Sequence, residues 1–349
     1  MLPSTVTAIL NPMHSNERPA QPESNESNIV LRNEPRLSEH EVDQERNELK
    51  QELVPGIQEF VAVHPLTKGT EAQVTFFHTG VSSLVCKIET DSIQLVLKIS
   101  LRAQPIQESV FLEAWSEAGV NVPQTHEEGE IKGQQYSLLE YVDEPALDEL
   151  YTPEQLVEEK VYFEMGSTLK DMHEPNTQGF GRPNGEAGQY ETFTEWLTTG
   201  EDIQEALQYV QSNNLYPSHA DRIKQSIEVL LQGIGDESAS SYCHDDYTPS
   251  NIFATHPITV FDPNPKYNNG LIDLGRSLTA IINSGYESSL VDKAMEQMVG
   301  GYFDNESYDK ETVVAAIVLG IVWKSPYPHR TGDLDSIDSF NEYLNELPL

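Results

Sequence analysis

A short polar run in the second half of the chain constrains its fold more than any other feature. The run, SYCHDDYTPSNIF, begins at Ser241 and contains His244, Asp246 and Asn251 in the spacing His-x-Asp-x-x-x-x-Asn, and Asp262 follows in the context Val-Phe-Asp-Pro. Kinase-type phosphoryl transfer needs a carboxylate beside the attacking hydroxyl and hard oxygen ligands for Mg²⁺. The spacing therefore predicts a catalytic loop that is followed by a metal ligand.

The acidic and amide side chains of this run are expected to have separate roles. Asp246 is the predicted catalytic base, because it can orient the acceptor hydroxyl and take its proton. Asn251 lies beyond a turn that contains Pro249, so its amide oxygen can reach a metal ion while Asp246 faces the substrate. Either Asp245 or Asp246 could be a solvated turn residue, but only Asp246 keeps the spacing to Asn251.

Two neighbouring features complete the predicted site. The apolar residues Ile258–Phe261 are typical of a short strand, which would bring Asp262 to the metal as its second ligand. His244 is expected to hold the catalytic loop through hydrogen bonds rather than to move protons. Because three spaced residues can also match by chance in a chain of this size, the interpretation depends on further blocks of sequence.

Such blocks occur in a fixed order from about residue 57 to beyond residue 300. They are Val96-Leu-Lys-Ile99, ESVFLEAWSEAGVNVP from Glu108, Leu138-Leu-Glu-Tyr-Val142, LKDMHEPNTQGFGRPNG from Leu169, the HDDYTPSNIF run, and FDPNPKYNNGLIDLGRSL from Phe261. In this order they resemble the aminoglycoside phosphotransferase and choline kinase-like family. That family usually has Gly between the His and the Asp of the motif, where this chain has Asp245; protein kinases have another residue there, so the departure does not exclude catalysis.

The resemblance implies a protein-kinase-like, two-lobed α+β fold. A small antiparallel β-sheet with one helix would form the N-terminal lobe, and a larger, mainly helical C-terminal lobe would bind the acceptor. We expect a disordered arm over residues 1–37, because its first part is rich in Pro, Ser, Asn and Glu. The nucleotide-binding lobe, with a leading helix at Glu39–Val54, would span residues 38–142, and the catalytic lobe residues 143–349.

Lys98 lies near the end of the strand-like run Ile93–Ile99 and is flanked by apolar residues. The resemblance implies that its ammonium contacts the α- and β-phosphates of ATP. Its carboxylate partner on the following helix is expected to be Glu108, with Glu113 as the alternative. A lone lysine in a strand can also be a solvated side chain.

The remaining nucleotide contacts are less specific. Thr75–Cys86 suggests a strand, a turn and a return strand, and Ser82 and Ser83 would offer hydroxyl and N–H groups to phosphate. A plain hairpin is an equal alternative, because the segment has no G-x-G-x-x-G motif. The resemblance also implies that main-chain groups of Glu140 and Val142 bind the adenine edge.

The second lobe is predicted to be mostly helical, and its last apolar segment is too short to cross a bilayer. Asp273, in the block Leu271–Gly275, is expected to support the catalytic loop through hydrogen bonds. Cys86 and Cys243 form no disulfide framework, and no stretch resembles a secretory signal, so cytoplasmic residence is expected. The predicted helices are Pro153–Met172, Thr194–Gln211, Ser218–Leu231 and Thr312–Trp323.

The chain is strongly acidic, with 57 acidic and 21 basic residues and a net charge of −36. This charge disfavours nucleic acid and anionic membranes as partners and attracts cationic substrates, although a saline habitat would select the same acidity. Candidate acidic groups for an amine acceptor are the stretch Glu195–Glu205 and Asp333, Asp335 and Asp338, which could equally be solvated. The sequence specifies no oligomeric state.

These observations predict an ATP- and Mg²⁺-dependent kinase that phosphorylates a hydroxyl of an aminoglycoside or a related amine or sugar. Other acceptors remain open, namely a fructosamine, choline, ethanolamine or homoserine. A catalytically inactive nucleotide-binding protein with the same fold is the alternative of a different class, although the full set of Lys98, Asp246, Asn251 and Asp262 argues against it. A protein kinase is disfavoured because neither Asp-Phe-Gly nor Ala-Pro-Glu follows the motif.

Overall fold

The computed structural model describes residues 29–33, 41–77, 83–100 and 107–347. Its first part is a β-sheet with flanking helices and its second part is mainly helical, which confirms the predicted two-lobed α+β fold. The N-terminal lobe contains β1 (Ile29–Asn33), α1 (Glu41–Val63), β2 (Ala72–Phe76), β3 (Ser83–Glu89), β4 (Gln94–Ser100), α2 (Glu108–Glu117), β5 (Thr125–Ile131) and β6 (Gln134–Glu140).

The sheet of this lobe has the strand order β1-β2-β3-β4-β6-β5. Strands β2 to β6 pair antiparallel as predicted, but β1 pairs with β2 in parallel, from Ile29 opposite Ala72 to Asn33 opposite Phe76. This strand corrects the prediction of disorder for residues 29–33, because Ile-Val-Leu is a short strand-forming segment that the polar composition of the arm concealed. The rest of the predicted arm lies outside the described residues.

The predicted leading helix extends further than its sequence pattern suggested. Helix α1 reaches Val63, and Leu53, Ile57 and Val61, one turn apart, are buried in the core of the lobe. This spacing places the three side chains on one face of the helix. The lobe therefore has α1 in its core in addition to the single helix α2 that the fold prediction named.

The C-terminal lobe is built on short strands and longer helices. Its strands are β7 (Asn176–Thr177), β8 (Phe180–Asn184), β9 (Ala187–Tyr190), β10 (Ser240–Cys243), β11 (Ile252–Phe253), β12 (Thr259–Val260) and β13 (Lys266–Asn268). Its helices are α3 (Leu147–Leu150), α4 (Pro153–Glu158), α5 (Val161–Met172), α6 (Phe193–Thr199), α7 (Glu201–Ser212), α8 (Ala220–Gly233), α9 (Gly270–Ile282), α10 (Ser288–Tyr302), α11 (Lys310–Lys324), α12 (Pro326–Thr331) and α13 (Leu334–Glu346).

Two of the predicted helices are interrupted. The helix expected over Pro153–Met172 breaks at Lys160, whose φ of 59° lies in the left-handed region. The helix expected over Thr194–Gln211 breaks at Gly200, where a Cβ atom would lie 2.3 Å from the carbonyl oxygen of Trp196. Both interruptions depend on backbone conformation and close packing, which hydrophobic periodicity does not report.

Helix α2 links the two lobes. Its buried residues Phe111, Leu112 and Trp115 belong to the same hydrophobic core as Tyr247 and Tyr267 of the second lobe. The predicted apolar helix near the end of the chain, α11, is buried along most of its length, as expected. Among the helices of the described residues, none combines the length and apolar character needed to cross a membrane.

Candidate active site

The predicted catalytic loop connects β10 to β11, and neighbouring strands bring Asp262 back beside it. Strand β12 pairs antiparallel with β11, with Ile252 opposite Val260, so the chain that leaves β12 returns along the loop. The Phe261 N–H donates to the Asn251 carbonyl at 3.1 Å. Asp262, with a positive φ of 54°, follows directly. The short strand predicted before Asp262 is thus present, although only Thr259–Val260 has strand geometry.

Asp273 holds the start of the catalytic loop. Its carboxylate accepts hydrogen bonds from the backbone N–H groups of His244 at 2.7 Å and Asp245 at 2.9 Å, and it contacts His173 Nε2 at 3.1 Å. Burial opposes ionisation of Asp273, but the hydrogen bond and charge of His173 and the loop N–H groups outweigh it and lower the pKa of Asp273. These contacts agree with the supporting role predicted for Asp273.

His244 is enclosed by the loop that it supports. Its Nε2 atom lies 2.9 Å from the carbonyl oxygen of Phe261, and its Nδ1 atom lies 3.3 Å from the backbone nitrogen of Asp246. The imidazole stacks on the indole of Trp115, with ring centroids 5.8 Å apart and planes 2° from parallel. Burial lowers the pKa of His244, which favours the neutral ring. Both ring nitrogens are occupied, so the geometry suits a structural residue.

Asp246 and Asn251 face each other across the loop. The Asn251 side-chain amide donates to the Asp246 carbonyl oxygen at 2.8 Å and to a carboxylate oxygen of Asp246 at 3.2 Å. Asp246 is exposed, whereas Asn251 is buried. Because the amide nitrogen of Asn251 is used within the loop, its side-chain oxygen is the group available to a metal ion.

Asp245 is buried and points away from this surface, so Asp246 is the exposed member of the two adjacent carboxylates. It is only 4% exposed, and its carboxylate contacts Arg276 Nε at 2.9 Å and accepts from Asn264 Nδ2 at 2.7 Å. Burial raises the pKa of Asp245 to about 6 despite the attraction of Arg276. Its φ of 60° explains why a Gly suits this position in similar sequences, since Gly and Asp tolerate the left-handed region.

Lys98 connects the two lobes at the other end of the site. Its ammonium donates to Glu108 at 2.6 Å and to Asp262 at 2.5 Å, although Lys98 and Asp262 are 164 residues apart. Burial disfavours the charged ammonium, but Glu108 and Asp262 together outweigh it and raise the pKa of Lys98. Glu113, the alternative partner, is exposed on α2. The structure thus pairs Lys98 with Glu108, as expected, and adds a contact with Asp262, which the sequence analysis placed only at the metal.

The other predicted nucleotide contacts have mixed outcomes. Ser82 lies outside the described residues. Ser83 is buried at the start of β3, its hydroxyl has no hydrogen-bond partner within the described part of the chain, and it lines a cavity of about 390 Å³ together with Lys98 and Glu108. The N–H of Glu140 donates to the Gln124 carbonyl at 2.8 Å, so this group already has a protein partner.

At the connector between the lobes, the N–H of Val142 has no acceptor among the residues that the structure describes. Phe253 of β11 and Phe261, the residue after β12, stack with ring centroids 3.9 Å apart and planes 13° from parallel, and both are partly exposed. Phe261 directly precedes Asp262, and Phe253 lies two residues after Asn251. A flat apolar surface at this position suits a planar aromatic ligand.

Sequence reasoning missed a group of cations beside the loop. Lys324, the last residue of α11, places its ammonium 3.9 Å from the Asp246 carboxylate, and the Arg276 guanidinium carbon lies 4.2 Å from the ring centroid of Trp323. Lys266 pairs with Asp202 at 2.5 Å. The one sequence signal for these cations was Lys324, a charged residue at the end of a helix that is otherwise almost entirely apolar.

The acidic groups proposed for amine recognition are mostly not at the loop. Within the Glu195–Glu205 stretch, Asp202 approaches the site through its pair with Lys266, whereas Glu195 and Glu205 are exposed. Asp333 accepts the backbone N–H of Ser336 and is the N-cap of α13. Asp335 and Asp338 are exposed on the same helix.

One cluster near the loop has the composition of a metal site. The ligand atoms of His173, Cys243 and Asp273 lie within 4.8 Å of one another. However, both Asp273 oxygens accept loop N–H groups, burial raises the pKa of Cys243 well above its usual value, and the Cys243 thiol contacts the Asn268 carbonyl at 3.4 Å. A protonated thiol and an engaged carboxylate indicate packing rather than metal binding.

Comparison with known proteins gives a match to one protein-family model over more than half of the chain. The model of the phosphotransferase enzyme family matches residues 63–281. No curated protein sequence matches the chain.

Solved structures with this fold include aminoglycoside phosphotransferase APH(4)-Ia as a thermostable mutant in ternary complex with ADP and hygromycin B. It is 14% identical, with 78% of this chain and 92% of that chain covered and a TM-score of 0.56. A putative fructosamine-3-kinase from Haemophilus somnus 129PT is 13% identical over 85% and 98% of the two chains, with a TM-score of 0.58. A choline/ethanolamine kinase family protein from Mesorhizobium loti is 15% identical over 85% and 96%, with a TM-score of 0.55.

Proposed function

The chain belongs to the phosphotransferase enzyme family, and we propose that it transfers the γ-phosphoryl group of ATP to a hydroxyl of a small-molecule acceptor. The observation that carries this proposal is the triple contact of Lys98, Glu108 and Asp262, drawn from β4, α2 and the segment after β12. It supports a phosphate site at the point where both lobes meet. An inactive nucleotide-binding protein is disfavoured, because every residue that the chemistry needs is present.

Asp246 is the proposed base. It is exposed at the cleft and held by Asn251, so it can accept a hydrogen bond from an acceptor hydroxyl and take its proton as the new bond to phosphorus forms. Lys98 would hold the nucleotide phosphates, and Glu108 would keep its ammonium in place. His244 and Asp273 would keep the loop in the geometry that presents Asp246.

The oxygen donors of Asn251 and Asp262 suit Mg²⁺. Magnesium prefers carboxylate and amide oxygens, and the Asn251 amide nitrogen is already used within the loop, which leaves its oxygen for a metal ion. Asp262 is partly exposed, and burial is outweighed by Lys98 so that the pKa of Asp262 is lowered and its carboxylate is ionised. When bound there, Mg²⁺ neutralises charge on the nucleotide phosphates.

For the nucleotide base, we propose a site between the lobes. The N–H of Val142, which has no acceptor among the described residues, can donate to the adenine edge, and the stacked Phe253 and Phe261 rings can pack against its face. Ser83, whose hydroxyl has no hydrogen-bond partner in the described part of the chain, lines the same cavity as Lys98 and is the proposed donor to a phosphate. A similar structure of an aminoglycoside phosphotransferase contains ADP, which supports nucleotide binding in this fold.

The proposed acceptor is a cationic amine or amino sugar. The net charge of −36 attracts cations, and a structure with the same fold contains hygromycin B. Fructosamines and choline or ethanolamine are alternative acceptors, because proteins named for those reactions share the fold.

The test is ADP release from Mg-ATP in the presence of aminoglycosides, fructosamines, choline, ethanolamine and homoserine. One acceptor class is expected to stimulate release, and Asp246→Asn and Asp262→Ala are each expected to reduce kcat at least about 1000-fold. Asp221→Asn, which changes an exposed carboxylate on α8, is the matched control and should retain full activity. Substantial activity in Asp246→Asn would contradict the proposed mechanism.

A further inference from the structure

Lys324 occupies a position that the fold fixes firmly. It ends α11, whose residues from Val313 to Val322 are almost all buried. The next residue, Ser325, is fully buried; its hydroxyl donates to the Ile321 carbonyl at 2.5 Å and lies 2.8 Å from the Tyr216 hydroxyl. Because the helix end cannot shift without breaking these bonds, they fix the backbone position from which Lys324 reaches the catalytic loop.

The Lys324 ammonium lies near the Asp246 carboxylate without a hydrogen bond to it. Its side chain is 21% exposed, and its nearest carboxylate, Asp246, lies 3.9 Å away, which is too far for a hydrogen bond. Within the described residues, no hydrogen bond to its Nζ atom is formed. An ammonium group carries N–H donors that must be satisfied, so this one is poised for an oxygen acceptor that arrives from the cleft.

Most of the charged groups around Lys324 are already paired with other residues. Burial lowers the pKa of Lys324, and Arg276 on α9 lowers it further. The carboxylates that attract it are Asp246, Asp245 and Asp273, all from the loop or from α9. Asp245 is bound to Arg276 and Asn264, and Asp273 to the loop N–H groups. Of these carboxylates, only Asp246 is therefore free to share an incoming ligand with Lys324.

We propose that Lys324 is a catalytic residue that contacts the phosphoryl group while it is transferred to the acceptor oxygen held by Asp246. The proposal rests on the proposed function. In the step, the bond between the γ-phosphorus and the bridging oxygen of ATP breaks, and ADP leaves with the bond electrons. A bond from the acceptor oxygen to phosphorus forms, and the acceptor proton passes to the Asp246 carboxylate.

The physical reason is the charge of the group in transfer. Its non-bridging oxygens carry negative charge at the point where Asp246 presents the acceptor, and a fixed cation at that point stabilises the transition state. Lys98 lies at the other end of the site, paired with Glu108 and Asp262. Lys324, a second cation contributed by α11 of the C-terminal lobe, would therefore act on the acceptor side of the phosphoryl group.

The experiment compares Lys324→Met, Lys324→Arg and Lys310→Met in the full-length protein, with steady-state kinetics for ATP and the best acceptor. Lys310 is exposed at the first position of the same helix, so Lys310→Met makes the same chemical change away from the site. Lys324→Met should lower kcat about 100-fold while both KM values stay within about threefold. Lys324→Arg should recover at least about tenfold of that loss, and Lys310→Met should match wild type.

The pH dependence provides a second readout. The pKa of Lys324 is lowered, so the wild-type rate should decline with rising pH below the range of an ordinary lysine, as the ammonium loses its proton. Lys324→Met should lack this decline. A structural role alone would change the melting temperature and leave the shape of the profile unaltered.

The outcomes separate the two proposals. Unchanged kcat in Lys324→Met, with Asp246→Asn inactive, would overturn the role of Lys324 and leave the proposed function standing. A raised KM for the acceptor at constant kcat would also overturn it, because it would place Lys324 in acceptor binding. Equal losses in the Met and Arg variants would show that charge is not what matters. An active Asp246→Asn variant would instead reject the proposed function itself.

Discussion

The two halves of the cleft are held together in different ways. The catalytic half, His244 to Asn251, is fixed within the C-terminal lobe, since Asp273 accepts its backbone N–H groups and His244 bonds to Phe261. The phosphate half joins Lys98 and Glu108 from one lobe to Asp262 from the other. The catalytic half is therefore preformed by local folding, whereas the phosphate half depends on the relative position of the lobes.

Helix α2 makes the two halves dependent on each other. At its first residue, Glu108 bonds to Lys98, and two turns later the Trp115 indole donates to the Tyr242 carbonyl at 3.1 Å and stacks on His244. A shift of this helix would loosen both ends of the site. We therefore expect variants in the catalytic half to lower both stability and catalytic rate. Variants in the phosphate half should mainly change the KM for ATP.

The largest effect should follow from breaking the support of the catalytic half. Asp273→Ala removes an ionised, buried acceptor from His173 and from two loop N–H groups. We expect the free energy of unfolding to fall by about 3–5 kcal/mol, as for other buried pairs that lose one partner. We expect kcat to fall at least about 1000-fold, since Asp246 would lose its orientation.

Denaturant unfolding and steady-state kinetics measure the two changes. Asp221→Ala, at an exposed position of α8, is the control and should alter neither. If Asp273→Ala kept wild-type stability while losing activity, the catalytic half would not depend on this carboxylate for its fold.

A smaller, pH-dependent effect should come from Asp245. Its pKa is about 6 in the folded protein against an ordinary value of 3.8, so the folded state binds the proton more tightly than the unfolded state. Its contribution to stability is therefore present at low pH and is lost as pH rises from about 4 to about 6, by about 3 kcal/mol. Asp245→Asn tolerates the same positive φ but does not titrate.

The measurement is the free energy of unfolding from pH 4 to pH 8 for both proteins. The free energy of unfolding of the wild type minus that of Asp245→Asn should decline up to about pH 6 and then stay constant. Above that pH the Asp245 carboxyl, the group that titrates in the wild type alone, is ionised in both the folded and the unfolded state. Asp245→Gly, which also accepts the left-handed conformation, should give the same pH dependence of the difference. A difference that grew with rising pH would mean that Arg276 stabilises the ionised carboxylate more strongly than burial disfavours it.

The sequence predicted the parts of the site whose residues are separated by a characteristic number of positions along the chain. Asp246 and Asn251 lie on one loop and Asp262 lies just after the paired strands β11 and β12, so their separation in sequence is set by local geometry. The fold could be predicted from the order of the sequence blocks. The pairing of Lys98 with Glu108 could be anticipated because α2 follows β4 directly. The roles of these residues remain predictions.

The rest could not be predicted because it depends on packing between distant elements. Arg276 meets Asp245, and Lys324 approaches Asp246, only because α9 and α11 pack beside the loop, and neither contact has a characteristic spacing. The inward turn of Asp245 follows from a positive φ that its neighbours do not signal. Strand β1 forms by pairing with the edge of β2, and the composition of the arm gives no sign of this long-range pairing.

The smallest of the three effects should come from the phosphate half. Glu108→Gln keeps a hydrogen-bond acceptor for Lys98 but removes the charge, so the ammonium would be held by Asp262 alone and would compete with the metal for that carboxylate. We expect KM for ATP to rise about tenfold. We expect the free energy of unfolding to change by less than about 1 kcal/mol, because the desolvation of Glu108 disappears together with its attraction to Lys98, and Lys98 keeps Asp262 as a charged partner.

Glu113→Gln is the matched control, since Glu113 lies on the same helix and is exposed. It should leave KM for ATP, kcat and stability unchanged. If Glu108→Gln were strongly destabilised, the phosphate half would be part of the folded framework like the catalytic half. If instead only KM for ATP changed, the two halves would differ as their contacts indicate, one fixed by folding within a lobe and the other by the approach of two lobes.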